Sequence, residues 1–248
     1  MKISYMSDIH LEFHRDGGQA MVDEVIANTP EVDLVVLAGD IGVLNVNSKQ
    51  ILRLLDGLSE KATKVFYIPG NHCFYGDRYK AGLGRLESLA HSVPENVVVG
   101  YACYTDFQLD GYTICGGTLW FPDLYPPQHV KACLNDFTQI LDLEPQIYRE
   151  NTFFTAQLRK LNTDKLIVVT HHAPSYRSIH PRFAGSSVNQ FFCNDLDGLI
   201  EAIEPKLWIS GHLHDPVDYF IGNTRLVSAP CGYPFEMNIN WKPKVIEI

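Results

Sequence analysis

The 248-residue sequence lacks the features that mark several special classes of protein. No apolar run approaches the roughly 20 residues of a membrane-spanning helix, so we expect no membrane partner. No basic segment followed by an apolar segment precedes the first predicted strand, which begins almost at Met1, so we expect no signal peptide. Solenoid-type repeats, low-complexity tracts and a linker between domains are also missing, which argues against repeat and disordered proteins.

Positive charge is scarce, because 20 lysines and arginines stand against 29 aspartates and glutamates, for a formal charge of -9. We therefore expect no broad cationic surface and no nucleic-acid partner. A phosphate substrate is compatible with this charge, since bound metal ions are often the largest local charges in a site. The six cysteines include no C-x-x-C pair, which is typical of reduced thiols in a cytoplasmic protein.

The sequence does contain short apolar runs that end in side chains able to bind metal ions. Residues 34–38 form an unbroken apolar run, typical of a strand buried on both faces, and Gly39 and Asp40 follow it. A carboxylate at the end of a buried strand is costly unless it is paired or bound to a metal ion. Four further apolar runs end in the same way, at Asp8-Ile-His10, at Asn71-His72, at His171-His172 and at His212-Leu-His214.

Open α/β sheets bind their ligands at the carboxyl ends of their strands. We therefore expect the five strand ends to meet and to hold two metal ions, with Asp40 between them. Because ends spread from Asp8 to His214 would form one site, we expect one domain over residues 1–248. Histidine together with carboxylate favours Mn, Fe or Zn, and the absence of cysteine from these ends argues against a structural thiolate zinc site.

Hydrophobic periodicity predicts alternating strands and helices in the first third of the chain. Isoleucine and leucine form one apolar stripe over residues 51–58, which predicts a helix with Ser48 as its N-cap. This helix and another over residues 20–28 connect three strands in a β-α-β-α-β arrangement, which predicts a parallel sheet. Further helices are predicted over residues 79–91, 146–161 and 195–203, and Gly222-Asn223 predicts a β-hairpin.

Two segments with weak secondary-structure patterns are candidates for covering the site. Residues 120–144 begin with a stretch rich in proline and aromatic residues, which suits either an insertion over the site or a surface connection. Residues 173–194 follow His171 and form a long segment without periodicity, and such segments are usually functional or disordered. They contain Arg177 and Arg182, which suit either a phosphate clamp or a solvated loop.

Each strand-end motif alone is a weak signal, because an isolated D-x-H or H-x-H is more often a polar turn. Five of them, each at the end of an apolar strand, favour a metal site. The motifs Ser7-Asp8-Ile-His10, Gly39-Asp40, Gly70-Asn71-His72, His171 and Gly211-His212-Leu-His214 resemble the ordered motif set of the calcineurin-like metallophosphoesterases. The resemblance spans residues 8–214.

The resemblance implies a four-layer α/β sandwich, in which helices flank two mixed central sheets and the metal site lies at the carboxyl ends of strands. It also implies a phosphoesterase that cleaves a small phosphate ester by attack of a hydroxide bridging two metal ions, and we favour a phosphodiester over a phosphomonoester. One ion would be held by Asp8, His10, Asp40 and His214, and the other by Asp40, Asn71, His171 and His212. His72 matches the family's metal-free histidine, which protonates the leaving group or stabilises charge in the transition state.

The chain departs from the family pattern at two positions. The family usually has aspartate or glutamate after Gly-Asn-His, whereas this chain has Cys73, a poor hydrogen-bond acceptor. Either another carboxylate orients His72, or His72 is a weaker acid than usual. No Asp-Arg pair follows Gly39-Asp40-Ile-Gly, so the protein Ser/Thr phosphatase branch fits poorly.

Two other functions stay open from the sequence: a nuclease, and a non-catalytic scaffold that uses this fold to bind proteins. The charge of -9 and the lack of a basic groove with interleaved aromatic residues weigh against a nuclease. Retention of all seven ligand positions weighs against a scaffold. The physiological substrate, the native metal and the oligomeric state have no readable pattern in the sequence.

Overall fold

The computed structural model describes residues 1–161, 165–236 and 241–248. The predicted domain of residues 1–248 includes both gaps, which lie outside the described residues. The helices are α1 (Gln19–Asn28), α2 (Leu44–Ser59), α3 (Tyr79–Ala90), α4 (Gln128–Lys131), α5 (Asn135–Gln139), α6 (Gln146–Leu158) and α7 (Asp197–Ile203). In the described part of the chain, none of the helices has the length and apolar character needed to cross a membrane.

The strands are β1 (Lys2–Met6), β2 (Val32–Ala38), β3 (Ala62–Ile68), β4 (Asp77–Arg78), β5 (Val97–Val99), β6 (Thr105–Leu109), β7 (Tyr112–Gly117), β8 (Ile140–Leu141), β9 (Leu166–Thr170), β10 (Leu207–Ser210), β11 (Asp218–Ile221), β12 (Thr224–Ser228) and β13 (Lys244–Glu247). The first sheet has the order β13-β1-β2-β3-β5, and only β13 runs antiparallel to its neighbour. The second has the order β11-β12-β10-β9-β7-β6, with antiparallel strands at both edges. Strands β4 and β8 form a separate short pair.

The two mixed sheets pack face to face and are covered by helices on their outer faces. Strand β2 shows why its sequence is apolar throughout: Leu34 and Val36 contact the core between the sheets, and Val35 and Leu37 contact the core under helices α1 to α3. Strand β9 has the same alternation between the central core and a third core under α6 and α7. Burial on both faces explains the unbroken apolar runs. The chain is a four-layer α/β sandwich, as expected.

Most predicted elements are confirmed, with corrections at their ends. The β-α-β-α-β arrangement of the first third is present, and a hairpin joins β11 and β12 around Gly222-Asn223. The predicted N-cap was wrong: helix α2 begins at Leu44, and Ser48 lies inside its first turns, where its hydroxyl donates to the carbonyl of Leu44. Helix α6 ends three residues earlier than predicted, and α7 begins two residues later.

Candidate metal centre

The carboxyl ends of β1, β2 and β3 lie next to those of β9 and β10, where the two sheets meet. This arrangement brings together the side chains of all seven predicted metal ligands. Two groups of ligand atoms, each within 4.8 Å of one another, are Asp8, His10 and His214 in one and Asp40, His171 and His212 in the other. A third group links them and consists of His10, Asp40 and His72.

Direct contacts join the ligands within and between the strands. Nε2 of His10 lies 3.0 Å from Nε2 of His214, which in turn is 3.5 Å from Oδ1 of Asp8. Nε2 of His171 lies 3.1 Å from Oδ2 of Asp40 and 2.9 Å from Oδ1 of Asn71. These distances place imidazole nitrogens and carboxylate or amide oxygens around shared positions, as metal ligation requires.

The backbone around the site is unusual for residues other than glycine. Five of the seven predicted ligands have positive φ: Asp8 at 54°, His10 at 52°, Asp40 at 50°, His212 at 71° and His214 at 54°. Such angles are uncommon outside glycine and cluster at functional sites. The segments that follow β1, β2 and β10 therefore turn sharply at their proposed ligands.

Two glycines allow the ligand strands to approach one another closely. Gly39 has φ of +89°, and a Cβ there would overlap the imidazole of His171. A Cβ on Gly70 would overlap the carboxylate of Asp40. These glycines therefore set the spacing between neighbouring ligands.

The second nitrogen of several imidazoles is held, which fixes the direction of the ring. Nδ1 of His171 donates to the carbonyl of Ala38 at 3.0 Å. Nδ1 of His10 donates to Oε1 of Glu12 at 3.0 Å, and Nδ1 of His214 donates to Oε2 of Glu236 at 2.7 Å. Such contacts are typical around metal-binding histidines, because they select the tautomer whose Nε2 is free to bind. Each of these Nε2 atoms points toward the ligand groups.

The charges in the site are strongly coupled. Burial raises the pKa of Asp40, but the imidazoles of His171 and His72 outweigh this and hold that pKa well below its usual value. Burial lowers the pKa of His171, yet the interaction with Asp40 raises it to about 9. The pKa of His214 is likewise raised to about 9, against the effect of burial, chiefly by Asp8. The pKa of Asp8 is also lowered, so the carboxylates of Asp8 and Asp40 both stay ionised at neutral pH.

His212 differs from these two histidines. Burial, with the neighbouring His172 and His171 in support, holds its pKa well below the usual value, so its ring is neutral. Its buried Nε2 finds no hydrogen-bond partner among the described residues. A buried polar atom without a partner is costly, and a neutral imidazole is the form that binds a metal ion. This atom, beside Asp40 and His171, fits a divalent transition-metal ion, as the nitrogen and oxygen donors of both groups do.

A comparison with protein families agrees with this geometry. The family model described as calcineurin-like phosphoesterase matches residues 1–216. The chain belongs to the calcineurin-like phosphoesterase family. The resemblance stated from the motifs is therefore confirmed.

The individual proteins compared with this chain have low sequence identity to it. An uncharacterized protein, L509, of Acanthamoeba polyphaga mimivirus is 25% identical over 276 residues, covering 97% of this chain and 94% of the viral protein. The phosphopantetheinyl hydrolase PptH of Mycobacterium tuberculosis is similar in structure, with a TM-score of 0.68 and 17% identity over 98% of this chain and 95% of its own. TT1561 of Thermus thermophilus gives a TM-score of 0.55 and 15% identity over 92% and 88%. At these identities the two structures establish the fold alone.

The structure identifies the carboxylate that contacts His72. Oε1 of Glu12 accepts from Nδ1 of His72 at 2.9 Å, while Cys73 is buried and contacts the hydroxyl of Tyr67. Burial raises the pKa of Cys73 to about 12, so its thiol stays protonated and is poorly suited to attack a substrate or bind a metal ion. The sequence left open whether another carboxylate orients His72 or whether His72 is a weaker acid than usual. The contact with Glu12 favours the first alternative.

Three carboxylates outside the sequence motifs, those of Glu12, Asp136 and Glu236, also contact site residues. Glu12 continues the period-2 spacing of Asp8 and His10, and this signal was available in the sequence. Asp136 lies 65 positions from Asn71, whose Nδ2 donates to its Oδ1 at 2.7 Å, and Tyr75 donates to the same oxygen. Glu236 is similarly remote from His214 in sequence. No local pattern marks Asp136 or Glu236.

Both predicted covering segments contribute to a pocket beside the ligands, through residues 133–136 and through parts of 179–192. The start of the first segment is core, because Trp120 and Phe121 are buried, so a purely surface connection was wrong there. Arg177 pairs with Asp197 and Arg182 with Asp215.

Two neighbours of the predicted ligands differ from each other in role. His172 is buried against Trp120 and His212, so it is a packed histidine. Tyr233 lines the pocket, with its ring 4.6 Å from those of His10 and His214. Phe235 is exposed.

Proposed function

We propose that this chain is a dinuclear metal-dependent phosphoesterase that hydrolyses phosphodiesters in preference to phosphomonoesters. The observation that carries the proposal is the position of Asp40. Its ligand atoms belong to a group with His171 and His212 and to another with His10 and His72, so it lies between the two halves of the site. A carboxylate in that position is suited to bridge two ions.

The ligands divide as the family motifs imply. One ion is assigned to Asp8, His10, Asp40 and His214, and the other to Asp40, Asn71, His171 and His212. The mixture of imidazole, carboxylate and amide donors favours Mn, Fe or Zn. When bound, such a pair of ions activates water for attack on phosphorus and neutralises charge on the phosphoryl oxygens.

The chain's own residues supply the proton and the orientation. His72 is assigned as the acid that protonates the leaving oxygen. Burial lowers its pKa, but Asp40 and then Glu12 raise it above its usual value, which favours the protonated ring that an acid requires. Glu12 fixes the ring through Nδ1, so that Nε2 is the nitrogen available to the substrate.

Two alternatives are less well supported. A non-catalytic scaffold does not require seven metal-binding side chains with oriented imidazoles. A nuclease requires a cationic groove, and the described residues that line the pocket contain one arginine, paired with Asp215, and no lysine. Unpaired thiols at all six cysteines fit our proposal of a cytoplasmic location.

The test is hydrolysis by protein reconstituted with Mn, Fe or Zn, using bis-p-nitrophenyl phosphate and p-nitrophenyl phosphate side by side. A phosphopantetheine diester belongs in the same panel, because PptH is named for that group. We expect the diester to be preferred and activity to vanish with EDTA. Asp40→Asn and His72→Ala serve as controls. Full activity after metal removal, or no hydrolysis above the Asp40→Asn background, would contradict the proposal.

A further inference from the structure

A pocket of about 380 Å³ opens beside the proposed metal ligands. Its volume is within the range of small-molecule sites. Asp40, Asn71, His72, His212 and His214 are among the residues that line it. A phosphate ester whose phosphorus lies at the metal centre therefore extends one of its ester groups into this pocket.

Part of the pocket lining is apolar, and it contacts the proposed ligand His212. The ring of Phe192 stacks on that of His212, with centroids 5.0 Å apart and planes 23° from parallel. Phe183, further along the same segment, is 49% exposed although it lines the pocket. The apolar side chains that line the pocket, here called the apolar wall, are Leu134, Ile179, Phe183, Val188, Phe191, Phe192 and Leu213. The guanidinium of Arg182 lies over one face of the Phe183 ring, 4.7 Å from its centroid. Exposed apolar surface of this kind in a concave site is suited to bury an apolar group of a ligand.

The charges of the pocket do not suit a highly anionic ligand. Among the described residues that line it, Arg182 is the only arginine or lysine, and its Nη2 lies 2.7 and 2.9 Å from the two oxygens of Asp215. Asp136 and Glu236 add negative charge to the lining. A second phosphate group that enters the pocket therefore meets carboxylates and, among these described lining residues, no unpaired arginine or lysine.

We infer that the substrate is a singly charged phosphodiester with an apolar ester group, which lies against the wall formed by Phe183, Phe192 and their apolar neighbours. The inference rests on the proposed phosphoesterase function and specifies its substrate class. The phosphoryl group binds at the proposed metal centre, and the apolar group replaces solvent on the wall. Phosphomonoesters are poorer substrates because they have no second ester group to bury against the wall. Nucleoside polyphosphates and nucleic acids are poorer substrates because their further phosphate groups meet the carboxylates of the pocket.

The experiment varies only the second ester group. Reconstituted protein is given methyl p-nitrophenyl phosphate, phenyl p-nitrophenyl phosphate and the monoester p-nitrophenyl phosphate. Both diesters have the same leaving group and charge. We expect kcat/KM to be about 10-fold higher for the phenyl than for the methyl ester, mainly through KM, as one apolar group in a pocket typically gives. The monoester is expected to be the poorest substrate.

Phe183→Ala tests the wall, and Phe220→Ala is a matched control because Phe220 is 60% exposed on β11 and does not line the pocket. Phe183→Ala should lower kcat/KM for the phenyl ester more than for the methyl ester, whereas Phe220→Ala should change neither. Binding gives a second readout: diphenyl phosphate should inhibit the wild type at lower concentration than dimethyl phosphate, and Phe183→Ala should reduce that difference.

The possible failures are distinguishable. Hydrolysis of both diesters at equal kcat/KM, a preference for the monoester, or equal effects of Phe183→Ala and Phe220→Ala would overturn the inference and leave a phosphoesterase. Absence of hydrolysis of every ester with every ion would overturn the proposed function and the inference with it.

Discussion

Oε1 of Glu12 lies 2.9 Å from Nδ1 of His72 and 3.0 Å from Nδ1 of His10. One carboxylate oxygen therefore contacts both the proposed general acid and a proposed metal ligand. Glu12 lies two positions after His10 in the sequence, so the segment that follows β1 supplies both a proposed ligand pair and the carboxylate that contacts His72. The family usually has an acidic residue after Gly-Asn-His, and this chain has Cys73 there. Glu12 supplies the carboxylate that contacts His72 instead.

Glu12→Gln keeps an oxygen that accepts from an imidazole but removes the negative charge. We expect kcat/KM to fall about 10- to 100-fold, as is typical when the partner of a metal-site histidine is altered. Glu12 contributes to raising the pKa of His72, so its neutralisation lowers that pKa. Because we propose that His72 acts in its protonated form, the alkaline limb of the pH profile of kcat/KM should move to lower pH.

The profile of His72→Ala is the reference for this variant, since it should lack that limb. An alkaline limb at the same pH in Glu12→Gln and wild type would show that Glu12 does not tune His72.

Asp136 is expected to hold the amide of Asn71 with its oxygen toward the metal centre. Asp136→Ala removes the acceptor for Nδ2 of Asn71 and for the hydroxyl of Tyr75. Affinity for one of the two ions should fall about 10- to 100-fold. Titration of the metal-free protein with Mn²⁺, followed by calorimetry, measures this loss without reference to activity.

Asp136→Asn is the matched control, because Oδ1 of an asparagine accepts both of these hydrogen bonds. It should retain most of the affinity. If Asp136→Ala binds both ions with wild-type affinity, Asp136 does not orient Asn71 for metal binding.

The sequence carried enough information to predict the sheets and the clustering of the proposed ligands, and for a common reason. Strands such as residues 34–38 are buried on both faces, so their apolar runs are unbroken, and parallel strands deliver their last residues to one edge. Asp8, Asp40 and His171 are therefore visible as polar residues after apolar runs. The start of α2 was predicted wrongly because serine is a common N-cap, whereas the hydroxyl of Ser48 donates to the carbonyl of Leu44 inside the helix.

The supporting residues were harder to predict, because they act through tertiary contacts. Asp136 and Glu236 belong to segments without periodicity, and only the folded chain brings them to Asn71 and His214. The apolar pocket wall is likewise drawn from distant segments, so its residues share a surface without sharing a sequence pattern.

Gly39→Ala should lower both the stability of the fold and the metal content of the site. A Cβ at this position overlaps the ring of His171, and φ is +89°. We expect a loss of about 1–3 kcal/mol in the free energy of unfolding from the positive φ, together with loss of metal content. Denaturant unfolding and elemental analysis measure the two effects.

Gly111→Ala is the control, because Gly111 has φ of +77° in the turn between β6 and β7, where a Cβ meets only an ordinary contact. It should lose similar stability and keep its metal. Equal metal content in both variants would contradict the proposed role of the space at Gly39.

Glu150 should make stability depend on pH. Burial raises its pKa from 4.5 to about 7, although the hydroxyl of Tyr79 donates to it at 2.6 Å. The folded state therefore binds more protons than the unfolded state between pH 4.5 and about 7, and the free energy of unfolding falls as pH rises through this window. The contribution is at most about 3 kcal/mol.

Glu150→Gln removes this titration while keeping an acceptor for Tyr79. Urea unfolding at about pH 5 and about pH 8 should show a smaller decrease in stability for the variant than for wild type. An identical decrease in both proteins would show that Glu150 titrates normally.

The central claim is that Asp40 joins two metal ions, and a count of bound metal after reconstitution and removal of excess ions tests it most directly. Wild type should retain about two ions per chain, His10→Ala and His171→Ala about one each, and Asp40→Asn less than either, as expected for a bridging carboxylate. Retention of a single ion by wild type, or of both ions by Asp40→Asn, would contradict the account.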